Sequence, residues 1–457
     1  MTFTLRPYQD DLIGGARKAI AGGAKRVLMV APTGAGKTAL ASYMLSTAAQ
    51  RGKSCWFNVH RRELIKQSSK TMDKVGVPHG VIAAGFPAAR KQRVQIVGVQ
   101  SVARRLDTVI APQMIVWDEC HHIASKTWTD IFDAYPDAIH IGLTATPCRL
   151  DGRGLGDWFN EIVEGPTVRW LIENGFLAKY KLFAPWSPDM TGASKRGGDF
   201  TSSSAAERMD KPAVTGNAIH HYMRLCPGKR AIVFASNVKH SKNIVEQFRA
   251  CGIAAAHLDA TSKDRDRVLA AFERGEIKVL SNVDLFGEGF DVPAIEAVIL
   301  MRPTASLGLY LQQVGRALRP AEGKPHAFIL DHAGNAMRHG LPDEEHDWTL
   351  ADRPKKSGSK KPDDELLIRQ CPQCFSVHEP APMCPECGHE YEIKGRQIEE
   401  REGELVEVDI EAMRRAKKQE QAQAGTFEEL VALAQKRGYK NPSAWASHIL
   451  NARKTRR

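Results

Sequence analysis

The feature that most constrains this sequence is a glycine-rich segment, Ala31-Pro-Thr-Gly-Ala-Gly-Lys-Thr38, which joins a short apolar run to a helix-forming stretch. Its glycines allow backbone N–H groups to close around a phosphate, and the N-terminus of the following helix favours negative charge. Lys37 is expected to contact the β- and γ-phosphates of ATP, and the Thr38 hydroxyl to bind Mg²⁺. A strand, a glycine loop and a helix in this order predict an α/β fold that binds ATP.

Two sets of apolar runs alternate with amphipathic stretches along the 457 residues, a length that exceeds one ordinary core. This alternation indicates βαβ units and therefore parallel sheets. The predicted strands are residues 26–31, 54–59, 94–99, 114–118 and 138–144 in the first set, and 230–235, 254–258, 278–282, 297–301 and 327–331 in the second. The second set has no phosphate loop of its own. Residues 187–217, between the sets, carry Gly, Ser, Lys and Asp with little periodicity, which indicates a connector.

Two adjacent carboxylates end the apolar run at residues 114–118, in the sequence Asp118-Glu119-Cys120-His121. Burying a strand that finishes in paired acids is costly unless a cation or a water molecule uses them. Asp118 is therefore expected to be the outer partner of Mg²⁺, and Glu119 to polarise the attacking water. His121 has two explanations: it links the ATP site to the second set of strands, or it is a hydrogen-bonded histidine with no such role.

The motifs and their order resemble those of the superfamily 2 helicases. The resemblance rests on Leu5-Arg-Pro-Tyr-Gln9, the phosphate loop, Val59-His-Arg-Arg-Glu-Leu64, Gly98-Val-Gln-Ser101, Asp118-Glu-Cys-His121, Thr144-Ala-Thr-Pro147, Ala231-Ile-Val-Phe-Ala-Ser236, residues 282–293 and Gln312-Gln-Val-Gly-Arg-Ala-Leu-Arg319. It covers roughly residues 1–345. It implies two tandem RecA-like domains that bind ATP and Mg²⁺ between them.

The resemblance also assigns roles to individual residues. It makes Arg316 and Arg319 arginine fingers, and their spacing of one helical turn would let both reach one anion. The remaining ATP contacts that it implies are Gln9 as the reader of the adenine base, Thr33, Gly34, Gly36, Gly289 and Asp291. The residues that it implies for coupling the ATP site to the strand site are His121, Thr144, Thr146 and Gln312. The strand contacts that it implies are Arg61, Gln100 and Ser101, although single polar residues are also ordinary on a surface.

The pattern is closest to the DNA-directed branch that includes compact bacterial and phage repair and restriction-type helicases. Asp-Glu-Cys-His replaces the Asp-Glu-Ala-Asp of the large RNA helicase family, and Gln312-Gln313 replaces its His-Arg. Both departures favour DNA over RNA. The net charge of +11 also suits a polyanionic partner, although solubility alone would explain it.

Several activities stay open at this point. The leading hypothesis is a DNA-stimulated ATPase that unwinds or remodels duplex or branched DNA. The alternatives are a double-stranded DNA translocase, an RNA helicase, and a non-enzymatic nucleic-acid-binding module. Because both halves of the ATP site lie in one chain, a monomeric motor is expected.

Four of the nine cysteines form the array Cys371-x₂-Cys374-x₉-Cys384-x₂-Cys387. Such paired turns present four thiolates to one tetrahedral ion, which predicts a closed, structural zinc ribbon that needs metal to fold. A redox or disulfide pair is the alternative, and it would need an oxidising compartment. The ribbon could contact DNA, dock a partner or pack on the motor. The flanking Lys355, Lys356, Lys360 and Lys361 favour nucleic acid.

The expected domains are residues 1–186 for the first RecA-like domain, 187–217 for the connector, 218–350 for the second RecA-like domain, 351–365 for a basic linker, 366–395 for the zinc ribbon, and 396–457 for a charged helix with a small basic helical appendage. No apolar run reaches the ~18 residues that span a bilayer, and residues 1–8 lack the pattern of a secretory signal. We therefore expect a cytoplasmic protein with no membrane contact.

Overall fold

The structure is a computed structural model, and it describes residues 4–87, 89, 91–149, 152–185, 188–283, 285, 295–352, 368–391, 419–421, 423–437 and 442–454. The chain divides into two compact units, Met1–Glu392 and Ile393–Arg457. Among the described residues, no helix is long and apolar enough to cross a membrane.

The first part of the larger unit is built on a seven-stranded parallel sheet. Its strands are β1 Arg26–Val30, β2 Cys55–Val59, β3 His79–Ile82, β4 Val94–Gly98, β5 Met114–Asp118, β6 Ile139–Thr144 and β7 Glu161–Glu164. They lie in the order β3-β4-β2-β5-β6-β1-β7. Successive residues of β1 face opposite cores, with Val27 and Met29 in one cluster and Leu28 and Val30 in the other. Both faces are apolar because helices cover both sides of the sheet.

The next strands are β8 Lys179–Phe183, β9 Lys195–Arg196, β10 Asp199–Phe200, β11 Ala231–Ala235, β12 Ala255–Leu258, β13 Val279–Asn282, β14 Ala297–Met301 and β15 His326–Asp331. Six of them form a second parallel sheet in the order β12-β13-β11-β14-β15-β8, while β9 and β10 form a separate hairpin. The two sheets with their helices confirm the predicted architecture of two tandem RecA-like folds.

The helices of the larger unit are α1 Pro7–Ala21, α2 Lys37–Gln50, α3 Arg62–Lys74, α4 Val99–Val102, α5 Lys126–Ala134, α6 Val168–Glu173, α7 Ser202–Met209, α8 Pro212–Leu225, α9 Val238–Ala250, α10 Arg265–Glu273, α11 Leu307–Gly315 and α12 Ala336–His339. Short 3₁₀ turns occur at Leu106–Thr108 and Cys120–His122. The side chains of Thr201, Asn237 and Ser306 accept hydrogen bonds from the first turns of α7, α9 and α11. These caps explain why the helices begin where they do.

Two boundaries differ from the predicted ones. β8 lies inside the predicted first domain, residues 1–186, but pairs with β15 of the second sheet from Lys179↔His326 to Phe183↔Leu330. The predicted connector, residues 187–217, contains the β9–β10 hairpin, α7 and the start of α8. The cap at Thr201 and the apolar residues of α7 form a helix despite the polar composition, and the role of this segment as a connector stays a prediction.

The larger unit ends in a small hairpin, β16 Arg369–Gln370 paired antiparallel with β17 Val377–His378. In the smaller unit, α13 Phe427–Lys436 packs against α14 Pro442–Lys454. Thr426 and Glu429 form a reciprocal capping box at the start of α13. The predicted basic linker and most of the predicted charged helix lie outside the described residues.

Candidate active site and metal centre

Three of the predicted motifs meet at one edge of the first sheet. The phosphate loop follows β1, Asp118 ends β5, and Thr144 ends β6. These strands are neighbours in the order β5-β6-β1 and run parallel, so their carboxyl ends lie side by side. This is the edge at which α/β sheets place their ligand-binding groups.

The phosphate loop is held in shape from its own backbone and from α1. Gly34 and Gly36 have φ values of 93° and 86°, a left-handed conformation that side chains other than glycine rarely adopt. The carbonyl oxygen of Ala35 accepts hydrogen bonds from Gln9 Nε2 and from the Tyr8 hydroxyl, each at 3.0 Å. Gln9 therefore lies against the loop, and its role as the reader of the nucleotide base stays a prediction.

The acidic pair lies directly beside the loop lysine. Asp118 and Glu119 are each only 5% exposed. Glu119 Oε1 lies 3.5 Å from Lys37 Nζ, and Glu119 Oε2 lies 3.5 Å from His121 Nδ1. Glu119 also has a φ of 48°, a conformation that costs free energy and that occurs preferentially at functional sites. The fold thus holds this carboxylate in one place next to the phosphate loop.

Cys120, which follows the acidic pair, is a core residue as the sequence predicted. Burial raises the pKa of its thiol well above the usual value, and the carboxylates of Glu119 and Asp118 raise it further. The thiol is therefore neutral and is no nucleophile at physiological pH.

Polar contacts lead from the acidic pair to Thr146, which packs against α11 of the second fold. The Thr144 hydroxyl lies 3.5 Å from His121 Nδ1 and donates to the Thr146 carbonyl at 2.8 Å. A methyl group placed on Gly308, at the start of α11, would lie 2.8 Å from Thr146 Oγ1. Gln312, on the same helix, is buried. Contacts therefore connect three of the four predicted coupling residues, His121, Thr144 and Thr146, while Gln312 lies on the helix that packs against Thr146. The role of all four in coupling stays a prediction.

The predicted arginine fingers follow α11 but do not lie on it. The helix ends at Gly315, and Arg316 and Arg319 lie in the turn beyond, so the argument from helical spacing was wrong. Beyond Gly315 the carbonyl groups of the turn accept hydrogen bonds from outside the helix, from Ala178 N and from Lys324 Nζ. A methyl group on Gly315 would lie 2.6 Å from Thr33 Cβ, and one on Gly34 would lie 3.8 Å from Arg319 Cγ. The turn therefore packs on the phosphate loop, and Arg319 lies beside that loop.

Two of the three predicted nucleic-acid contacts, Arg61 and Ser101, have other partners in this structure. Arg61 Nη1 donates to the carbonyl of Leu285 at 3.2 Å, a contact between the two RecA-like folds. Ser101 Oγ accepts from Ala84 N at 3.2 Å, and Gln100 is exposed. Their contact with a nucleic acid stays a prediction. Gly289 and Asp291, two of the predicted ATP contacts, lie outside the described residues.

An aromatic cluster beside the predicted base-reading segment was missed by the sequence analysis. Tyr8 makes edge contacts with Phe176 and Trp170 at centroid distances of 4.9 and 5.9 Å, and Trp170 stacks on Phe176. Tyr8 and Trp170 line a cavity of about 630 Å³. Tyr8 lies about 160 residues before Trp170 and Phe176 in the sequence, so no local pattern could have predicted that these rings meet.

A second missed element is the buried Asp199 on β10. Its Oδ1 accepts from the Thr304 hydroxyl at 2.9 Å and from Ala305 N at 2.7 Å, and Arg302 Nη2 lies 3.4 Å from Oδ2. These contacts attach the β9–β10 hairpin to the loop that precedes α11. A cavity of about 600 Å³ opens between this hairpin, α11 and the residues Arg61, His121 and Thr146.

The four cysteines of the predicted ribbon converge as a metal site requires. Their sulfur atoms all lie within 4.8 Å of one another, with Cys371 and Cys387 3.7 Å apart and Cys374 and Cys384 3.7 Å apart. Four sulfurs bound to one tetrahedral zinc ion at ~2.3 Å would be separated by ~3.8 Å. The cluster therefore fits zinc, with no position left open for a substrate.

The ribbon packs on β8 and α6 of the larger unit through backbone hydrogen bonds and ion pairs. Ala184 N, just past β8, donates to the Phe375 carbonyl at 3.0 Å, and Phe183 bridges to Ser376. Ion pairs of 2.5 Å join Lys181 to Glu386 and Arg169 to Glu379. Of the three roles left open by the sequence, packing on the motor is observed. The flanking lysines that favoured nucleic acid lie outside the described residues.

Family models match two stretches of the chain. Residues 2–149 match the model described as type III restriction enzyme, res subunit, and residues 216–321 match the helicase conserved C-terminal domain. A 51.5 kDa protein of a Lactococcus phage is 35% identical over 388 residues, which cover 83% of this chain and 82% of the phage protein.

Two further similarities agree with these matches. A Schizosaccharomyces pombe protein, provisionally named as the mitochondrial ATP-dependent helicase irc3, is 30% identical over 74% of this chain. The aligned region spans only 58% of the length of the yeast protein. The structure of the ATP-dependent type ISP restriction-modification enzyme LlaBIII bound to DNA aligns with a TM-score of 0.54 at 18% identity, over 73% of this chain and 28% of that chain. The last likeness concerns the fold alone.

Proposed function

The chain belongs to the superfamily 2 helicases, which are ATP-hydrolysing enzymes, and from this premise we propose that it is a DNA-stimulated ATPase that unwinds or remodels duplex or branched DNA. The observation that carries the proposal is the contact between Gly315 and Thr33, which brings the last motif of the second fold onto the phosphate loop of the first. One chain thus contributes both halves of an ATP site, which supports a monomeric motor.

In the proposed mechanism, the loop binds the nucleotide and the acidic pair activates water. Lys37 binds the β- and γ-phosphates, and Gln9 reads the base. Mg²⁺ would be held by the Thr38 hydroxyl and, through water, by Asp118, since this ion prefers oxygen ligands and keeps part of its hydration shell. Glu119 accepts the proton of the attacking water, and its burial beside Lys37 fixes its orientation.

The second fold contributes positive charge to the reaction and responds to it. Arg316 and Arg319 stabilise the negative charge that spreads over the γ-phosphate oxygens, a contribution of about 10³–10⁵-fold in related enzymes. Loss of the γ-phosphate would loosen this grip. The path through His121, Thr144 and Thr146 to α11 would transmit the change to the second fold. Opening and closing of the two folds would then shift their hold along a strand.

DNA is the proposed track for two reasons. The spelling of the acidic motif and of Gln312-Gln313 resembles the DNA-directed branch, and the first family model takes its description from a restriction enzyme. The net charge of +11 favours a polyanion but not one type over another. A zinc ion held by the four cysteines would be structural, since the ribbon is small and the metal would supply much of its folding free energy. A cytoplasmic location stays a prediction.

A forked-duplex assay separates unwinding from translocation. The protein is incubated with ATP and a fork labelled with a fluorophore and a quencher on opposite strands, and with a triplex whose third strand a translocase displaces. Strand separation of the fork that is lost in Lys37→Ala supports the proposed helicase. Displacement of the third strand without strand separation would replace it by the translocase.

A further inference from the structure

Lys324 lies just before β15, and its side chain reaches back into the turn that carries Arg316 and Arg319. Its Nζ donates hydrogen bonds to three carbonyl oxygens: that of Ile295 at 2.6 Å, that of Arg319 at 2.8 Å, and that of Ala317. The last two belong to the turn, and Ile295 lies two residues before the start of β14. One ammonium group thus uses its three protons on three backbone acceptors.

The carbonyl groups of Ala317, Leu318 and Arg319 lie beyond the end of α11 at Gly315, so no hydrogen bond of that helix uses them. Ala317 and Leu318 are buried, and a buried carbonyl group needs a donor. A cation near the C-terminus of a helix also interacts favourably with the helix dipole. Ala178 N takes the Leu318 carbonyl at 2.7 Å, and Lys324 takes the carbonyls on either side of it. Three successive carbonyl groups of the turn are therefore held, two of them by one side chain.

Lys324 is the side chain that binds two of the turn's carbonyl groups at once. The turn is too short to form a helix of its own, and a finger is useful only if its guanidinium group is placed within a fraction of an ångström. Gly315, which directly precedes the turn, packs so closely against Thr33 of the phosphate loop that a methyl group would not fit between them. We propose that Lys324 is a positioning residue for ATP hydrolysis: its ammonium group holds the turn so that Arg316 and Arg319 face the γ-phosphate. This inference rests on the proposed role of the two arginines.

The surroundings of Lys324 make the hold sensitive to pH. Burial lowers the pKa of Lys324 to about 8; the carboxylate of Glu296 opposes this shift, and the charges of Arg319 and Lys229 add to it. Above this pH the side chain loses its charge and one of its three protons. The hold on the turn is therefore complete below about pH 8 and weakens as the pH rises through that value.

The test compares the full-length wild type with Lys324→Met and Lys324→Arg by steady-state ATP hydrolysis between pH 6 and 10, with thermal melting as the check of folding. Lys239→Met is the matched control, because Lys239 is exposed on α9. We expect the wild-type kcat to fall above pH ~8 and Lys324→Met to lower kcat at pH 7 by about 10- to 100-fold with little change in KM. Lys324→Arg, whose charge persists, should remain active to higher pH than the wild type.

A kcat of Lys324→Met close to that of the wild type would overturn the inference, and so would an alkaline fall that all variants share. If Lys324→Met does not fold, the pH profiles of the wild type and Lys324→Arg decide alone. Arg316→Ala and Arg319→Ala tell the two proposals apart. Full ATP turnover in both arginine variants would remove their role as fingers and with it the basis for the role of Lys324. Loss of turnover in both arginine variants, with normal turnover in the Lys324 variants, would remove only the positioning role of Lys324.

Discussion

Replacing Gly315 with alanine is expected to slow ATP hydrolysis by keeping the two RecA-like folds apart. The added methyl group would lie 2.6 Å from Thr33 Cβ, whereas carbon atoms in contact are separated by about 3.5 Å or more. The folds must therefore separate by about 1 Å at the phosphate loop. A change of the Thr33 side-chain rotamer would not relieve this clash, because the clashing atom is Cβ, which is bonded directly to the loop backbone. Since a displacement of about 1 Å can cost about 10²-fold in rate, we expect kcat to fall by 10- to 100-fold.

Nucleotide binding provides the internal check, because Lys37 and Gln9 belong to the first fold and do not move. Binding of a fluorescent ATP analogue should therefore change by less than about threefold, which separates loss of transition-state contacts from loss of binding. Gly216→Ala is the matched control, since a methyl group there meets nothing within 4 Å on α8. That variant should keep its turnover. If Gly315→Ala hydrolyses ATP as fast as Gly216→Ala does, the packed contact is not the catalytically active arrangement.

Three further predictions follow from the site and its supports. Glu119→Gln should lower ATP turnover by about 10²- to 10⁴-fold while keeping nucleotide binding, and wild-type turnover would remove Glu119 from its role. Cys374→Ser should lose the bound zinc in elemental analysis and lower the melting temperature, whereas Cys251→Ser, at an exposed free cysteine, should do neither. Asp199→Ala should lower the free energy of unfolding by about 1–3 kcal/mol in urea titrations, because Thr304 and Ala305 lose their acceptor; unchanged stability would show that the hairpin attachment carries little weight.

Local patterns were sufficient to predict the central strands of both sheets. Runs such as β5 and β14 are apolar on both faces and end at a turn signal, so their type and position follow from the sequence. The edge strand β3 was missed because it is short, and β7 and β8 because they are partly exposed and contain charged residues. Nothing local tells β8 to pair with β15, which lies about 150 residues further along the chain.

The residues of the site likewise fall into those that a local sequence pattern predicts and those that only the folded structure reveals. Lys37, Asp118 and Glu119 stand next to glycine or strand-end patterns that state their chemistry, and the structure brings them together. Lys324 and Asp199 have no motif, because their partners are mainly backbone groups whose position depends on the whole fold. The helical spacing assumed for Arg316 and Arg319 failed for a related reason. The helix α11 ends at Gly315, and the turn beyond it is bound by Ala178 N and Lys324 Nζ, which are tertiary contacts that a sequence window does not contain.

The most direct test of the central claim is ATP hydrolysis alone and with single-stranded, duplex and forked DNA and with RNA, using Lys37→Ala as the blank. The account predicts that a form of DNA raises the turnover above the basal rate, and that both rates disappear in the blank. Stimulation by RNA alone would contradict the choice of DNA as the track. No turnover with any polymer would contradict the motor itself and bring the non-enzymatic binding module to the front.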